Sequence, residues 1–242
     1  ASGDGGGFRA AVSVRAGGKG VSGTIVSLCD RSGNMVRPWI EAGYQAVTVD
    51  LQAADDQQGR THIRADVLAL DDGFAAQFRP AAVFAFPPCT DLAVSGARWF
   101  RDKGLSGLIG GLQLVENERR ICEASGAPWM LENPVSTLAT YWRAPDITFD
   151  PWEYAGWAPN PAAEGYTKRT CLWTGGGFLP PDRRPVEPTL GSLMHRMGPS
   201  ETRANDRAVT PLGFAYAVFH AIQVRKAGAG TDNIPAAMEI VA

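Results

Sequence analysis

Val83-Phe84-Ala85-Phe86-Pro87-Pro88-Cys89-Thr90 joins four apolar residues, two of them aromatic, to a pair of prolines and a cysteine. The apolar run reads as a buried strand. Pro87 and Pro88 stop it, because neither can donate to a ladder. Cys89 is thereby held at the strand's carboxyl end, the edge where open α/β sheets bind ligands. A thiol on such a stiff ledge is a candidate nucleophile, although a free cysteine is more often a small buried hydrophobe.

Upstream, Gly23-Thr24-Ile25-Val26-Ser27-Leu28-Cys29-Asp30 reads as a first strand, Arg31-Ser32-Gly33-Asn34 as a turn, and residues 35–42 as a helix closed by Gly43. Tyr44 to Asp50 is a second strand ending in an acid. A carboxylate at that tip can accept both hydroxyls of a ribose. The turn has one glycine and no GxGxxG, which disfavours a pyrophosphate and suits an adenosine cofactor without phosphates. Asp66 before Val67 can reach an adenine amino group, or simply cap a helix.

Downstream, residues 90–104 are polar and Gly-punctuated, with Arg98, Arg101 and Lys103, and read as a mobile loop that closes over a substrate. Residues 105–124 form the clearest helix. Leu105, Leu108, Ile109, Leu112, Val115 and Cys122 give its apolar face, and Glu116, Glu118, Arg119 and Arg120 its polar side. Pro128 to Leu131 is another buried strand, ending in Glu132-Asn133-Pro134, so a carboxylate and an amide reach the same sheet edge. Residues 135–165 lack periodicity, and their tryptophans mark a packed irregular region. Residues 166–173 read as a basic-headed strand and 174–209 as loop. Thr210-Pro211 supplies a cap and first position for a last helix with Phe214, Val218, Phe219 and Ile222 on its apolar face.

The 242 residues suffice for one large α/β domain, at 45% hydrophobic and a formal net charge of −2. That charge gives no global basic field. Nineteen Arg against four Lys suit phosphate contacts, but a GC-rich genome produces the same bias. Cys29, Cys89, Cys122 and Cys171 show no CxxC pair and no metal-ligand spacing, which fits a reduced compartment. No apolar run reaches the roughly 20 residues of a membrane span, and no signal-peptide pattern is present. Residues 1–22 read as a flexible leader, 23–226 as one catalytic domain and 227–242 as a flexible tail.

Taken in order, these motifs resemble the cytosine-C5 DNA methyltransferases, in particular the compact phage and prophage type, over roughly residues 24–225. The resemblance implies a Rossmann-like doubly wound α/β sheet of the S-adenosylmethionine-dependent methyltransferase type. It implies S-adenosylmethionine held by Cys29, Asp30, Arg31, Ser32, Gly33 and Asn34 of the first loop, by Asp50 and Leu51, by Asp66 and Val67, and by Pro87. It assigns catalysis to Cys89, Glu132, Asn133 and the Lys168-Arg169 pair, and substrate contacts to Pro88, Ser95, Arg98 and Lys103. It implies DNA as partner, with the target base flipped into the site, in the cytoplasm of a bacterium or phage-infected host, with no membrane contact. Arg31 and Asn34 stand where the family has small residues, and Lys168-Arg169 replaces an Arg-x-Arg. Only about 40 residues separate Lys168 from Thr210, where the family inserts a target-recognition domain. The remaining arginines there, Arg183, Arg184, Arg196, Arg203 and Arg207, suit phosphates. The shortened segment leaves open the same cysteine chemistry on a single strand, RNA or a nucleotide, or with another one-carbon donor, and an inactive binding protein.

Overall fold

Apolar alternation along the central strands gives the sheet two buried faces. In β4 (Pro80–Ala85), Val83 and Ala85 face one layer while Ala82 and Phe84 face the other. Trp129 and Leu131 in β5 (Trp129–Pro134) oppose Met130 in the same way. Strands apolar on both sides must be covered on both sides, which is the signature of a doubly wound α/β arrangement.

The computed structural model describes residues 23–54, 59–193 and 203–229. The proposed leader, the tail beyond residue 229 and Arg196 lie outside them, as does the side chain of Arg203. A seven-stranded sheet runs β3-β2-β1-β4-β5-β7-β6. Here β1 is Thr24–Leu28, β2 Gln45–Asp50, β3 Arg60–Arg64, β6 Ile147–Phe149 and β7 Thr170–Gly175. The first five in that order are parallel, and β7 is antiparallel to both its neighbours. The crossover from β1 runs to β2 on one side, and that from β4 runs to β5 on the other. The β1/β4 edge is therefore the topological switch point, where ligands bind in open α/β sheets.

One face packs α2 (Phe100–Ala124) through Val115, Ile121 and Cys122. The other packs α1 (Arg37–Glu41) and the C-terminal helix (Leu212–Ala229) through Trp39, Phe214, Val218 and Ile222. Trp39 sits edge-on to Tyr44 and Phe219, at 5.4 and 4.9 Å between ring centres.

Several expectations change. Residues 90–104 are not a free loop: a 3-10 turn, Val94–Trp99, runs straight into α2, which begins at Phe100 and bends at Gly104 (φ 60°). The apolar face of α2 is rotated from the expected one. Leu105 and Ile109 are exposed, whereas Glu118 is fully buried. The last helix begins at Leu212 and takes its cap from across the chain: Glu164 accepts from Leu212 N (2.6 Å) and Gly213 N (2.7 Å). β3 and β6 are short edge strands inside stretches read as connections.

Among the described residues, no helix is long and apolar enough to cross a membrane.

Candidate active site

The first loop is organised by its own aspartate. Buried Asp30 accepts from Ser27 Oγ (2.8 Å), Ser32 Oγ (3.1 Å) and Gly33 N (2.7 Å). Burial raises its pKa, and those three donors oppose the rise. Asp30 thus shapes the turn from inside. Gly33, at φ 69°, adopts a left-handed geometry that a side chain would strain. Cys29 also sits at positive φ, 51°. Asn34 Nδ2 donates to Thr210 O (3.1 Å), tying the turn to the entry of the C-terminal helix. Arg31 O accepts from Arg60 Nη2 (2.9 Å).

The tips of β2 and β3 are acidic. Asp50 Oδ1 accepts from Gln52 N (2.8 Å), which aims the carboxylate outward at the strand end. Leu51 is exposed, and its carbonyl accepts from Arg64 Nε. Asp66 is exposed and caps a 3-10 turn through Leu68 N (3.0 Å); Val67 is buried. Gln52 and Asn205 form a reciprocal amide pair (3.2 and 3.1 Å), so the short helix Arg203–Ala208 is anchored to the β2 tip.

At the next two strand tips, buried Pro87 and exposed Pro88 deliver a half-buried Cys89. Leu92 N and Ala93 N donate to Cys89 O (3.0 and 2.8 Å), fixing its backbone in a turn. Asn133, fully buried at the end of β5, donates through Nδ2 to Pro87 O (3.1 Å) and so ties the two Pro-ended strands together. Glu132, its neighbour, faces a shallow cleft. Phe86, Phe149, Phe214 and Pro211 give that cleft apolar walls, while Glu132, Lys168, Thr170 and Thr210 supply its polar groups.

Burial pushes the Cys89 thiol up, and the Glu132 carboxylate adds to the rise. Lys168 and Arg207 pull it down. Burial likewise pushes Glu132 up, against Lys168. The site therefore holds a protonatable acid and a thiol that share one cation, Lys168.

Lys168 and Arg169 separate. Alternation into β7 turns Lys168 and Thr170 toward the cleft, whereas Arg169 is exposed and pairs with Asp150 (3.4 Å). The expectation that Arg169 shares the catalytic pocket is corrected accordingly. Lys168 is set by Asp150 as well, whose Oδ1 accepts its backbone N–H (2.8 Å).

The expected substrate contacts are scattered. Lys103 is strapped to Thr90 O (2.6 Å) and Asp91 (2.8 Å), which pins the segment after Cys89. Ser95 is exposed, and exposed Arg98 lies over the Trp99 ring (5.1 Å). Two of the arginines read as phosphate ligands are committed to packing. Arg183 pairs with Glu153 (2.6 Å), and Arg184 stacks on Trp157 at 3.4 Å.

Two residues escape the sequence reading. Arg207 was one of several basic residues in a loop; helix Arg203–Ala208 brings its charge to bear on Cys89. Glu118 was assigned to a polar helix face. It follows Val115 by three positions and precedes Cys122 by four, a spacing that places all three on one buried stripe. That spacing was the available signal.

No protein-family model matches the chain, and no curated protein matches it. Among solved structures it is similar to the crystal structure of the Bordetella bronchiseptica enzyme WbmH in complex with NAD+, at 12% identity and a TM-score of 0.26. That match covers 45% of this chain and 54% of the other, so the chain spans about half the length of that structure.

Proposed function

We propose that this chain is an S-adenosylmethionine-dependent cytosine-C5 methyltransferase acting on DNA. The observation that carries the reading is that Glu132 and Lys168, which line one apolar-walled cleft, both bear electrostatically on the Cys89 thiol, while Asn34 and Gln52 tie the first loop and the β2 tip to the segment that lines the same cleft. The antiparallel β7 supports it as well. Dinucleotide-binding sheets follow the parallel order 3-2-1-4-5-6, and this sheet departs from it between β5 and β6.

The residues of the first loop fit a cationic cofactor without phosphates. The turn lacks a glycine-rich cradle, and the charges around Cys29 are the acids Glu118, Asp50 and Asp66. The first loop and Asp50 would hold that cofactor, which supplies an electrophilic methyl group.

The protein's own residues do the rest. Cys89, as thiolate, adds to carbon 6 of the cytosine and makes carbon 5 nucleophilic. Glu132, its proton retained by burial, hydrogen-bonds N3 as electron density moves there. Lys168 stabilises the thiolate before attack and sits within the same cleft as the base. Once carbon 5 carries the methyl, loss of its proton restores the double bond and breaks the carbon–sulfur bond, returning Cys89 as thiolate. Asn133 keeps the two strand tips in register through Pro87.

The test is trapping on DNA containing 5-fluorocytosine, where the carbon-5 proton cannot leave. Wild type with S-adenosylmethionine should give a denaturation-resistant adduct, and Cys89→Ser none, because a hydroxyl is far less nucleophilic than a thiolate. Methyl transfer by Cys89→Ser at the wild-type rate would refute the assignment. A second reading keeps this chemistry on single strands or nucleotides. It is favoured by the commitment of Arg183 and Arg184 to packing, which removes two cations from duplex binding. Competition among duplex, single strand and dCMP separates the two.

A further inference from the structure

Glu118 is fully buried, and neither carboxylate oxygen makes a hydrogen bond of normal geometry; the nearest donors, the Cys29 thiol and the Phe86 N–H, favour its ionised form less than burial opposes it. A buried polar group so poorly partnered is costly and calls for an explanation. Its surroundings are the Cys29 thiol, just past β1, and the backbone of Phe86, just past β4. The Phe86 N–H is already committed to Leu28 O (3.0 Å). Glu118 therefore occupies the crevice between the β1 and β4 tips, the switch point of the sheet.

The charges around it have one sign. Asp50 bears on Glu118; Asp50, Asp66 and Glu118 bear on Cys29; and Cys122, one turn along α2, feels Glu118 and Glu123. Among the described residues no lysine or arginine figures in these interactions. Such a crevice lacks a cation. Burial pushes the Glu118 pKa up to about 8, so near neutral pH the carboxyl keeps its proton.

We infer that Glu118 is the anionic partner of the cofactor's positively charged methionine arm, at the crevice lined by Cys29 and Phe86. The inference rests on the methyltransferase reading and adds a binding residue that no motif in the sequence pointed to. An arriving cation favours the ionised carboxylate, so binding expels the proton. Affinity should then rise with pH up to about 8, the value set by burial in the unliganded protein.

The experiment is titration calorimetry of the full chain near neutral pH, in two buffers of different ionisation enthalpy. S-adenosylmethionine is compared with 5′-methylthioadenosine, which keeps the adenosine and thioether but carries neither cation. Wild type should release close to one proton with S-adenosylmethionine and none with the neutral compound. Glu118→Gln should release none, and should bind S-adenosylmethionine about ten- to a hundredfold more weakly while changing the neutral compound less than about twofold. Equal weakening of both compounds, an unchanged affinity for S-adenosylmethionine, or persisting proton release overturns the inference alone. A wild type that binds neither compound overturns the cofactor reading and this inference with it. Glu118→Asp keeps the charge and should keep the preference for the cationic compound; its loss there would also overturn the assignment, even if the glutamine variant folds poorly.

Discussion

Replacing Glu118 by glutamine should stabilise the unliganded protein at high pH and destabilise it at low pH. Burial raises the Glu118 pKa from 4.5 to about 8. Between those values the folded chain keeps a proton that the unfolded chain has lost. Its stabilising contribution is full below pH 4.5 and falls as pH rises, by up to 1.36 kcal/mol per pH unit. Across the window the loss sums to roughly 4 kcal/mol by pH 8. Glutamine cannot ionise, so the variant lacks this slope. Its amide still leaves buried polar atoms unpaired, a pH-independent cost of about 1–3 kcal/mol. The two stability curves should therefore cross. Near pH 5 the variant is the weaker by about 1–2 kcal/mol, and near pH 8 the stronger by a similar amount. Asp30 and Glu132 also have raised values, to which Glu118 does not contribute, so they bend both curves alike and cancel in the difference. Urea unfolding at several pH values reads it directly. Parallel curves would mean that Glu118 does not hold its proton in the folded state, and would refute the reasoning.

The other predictions concern the catalytic cleft and the packing behind it. Lys168→Met should lower methyl transfer about a hundredfold or more, since it removes a charge from both Cys89 and Glu132, whereas Arg169→Gln should cost little, its partner Asp150 lying outside the cleft lining. Steady-state rates on one DNA substrate check both, and equal losses would put Arg169 back in the pocket. Gly156→Ala should lower the melting temperature by roughly 4–12 °C, because a Cβ there would lie 2.7 Å from Arg184 O. An unchanged melting curve would mean that the two segments separate easily.

How far the sequence could be read depended on how local each determinant is. Val83 to Cys89 carries its own punctuation: the apolar run, the prolines and the thiol lie in seven consecutive residues, and β4 with its carboxyl-end cysteine follows. The same holds for Trp129 to Pro134. Edge strands lack such signals. Arg-Thr-His-Ile-Arg of β3 is polar because a sheet edge is half solvated, and it pairs only because β2 offers a ladder. Lys168 and Arg169 were inseparable as neighbours in sequence. Strand alternation and the carboxylate of Asp150, eighteen residues earlier, divide them. The cap of the last helix comes from Glu164, forty-eight residues before Leu212, beyond the reach of any window of local pattern. Glu118 was legible but misassigned: its charge outweighed a spacing that already marked the buried stripe.

Residues 182–191, after β7, have the composition of a loop, yet they lie zipped to the turns that follow β6. Gly156 N donates to Arg184 O, Val186 N to Trp152 O, Leu190 N to Gly165 O and Thr167 N to Gly191 O, all within 2.8–3.0 Å. Trp157 Nε1 adds a bond to Asp182 O, and Arg183 an ion pair to Glu153. A protease must draw several residues of extended backbone into its own cleft, which exposed loop tips allow and paired ones do not. Arg183 is a trypsin site by sequence, whereas Pro185 bars cleavage after Arg184. Held in this zipper, the bond after Arg183 becomes cleavable only when the turns around Trp152 and Gly156 open with it, so resistance to cutting here reports the integrity of two distant stretches of chain at once.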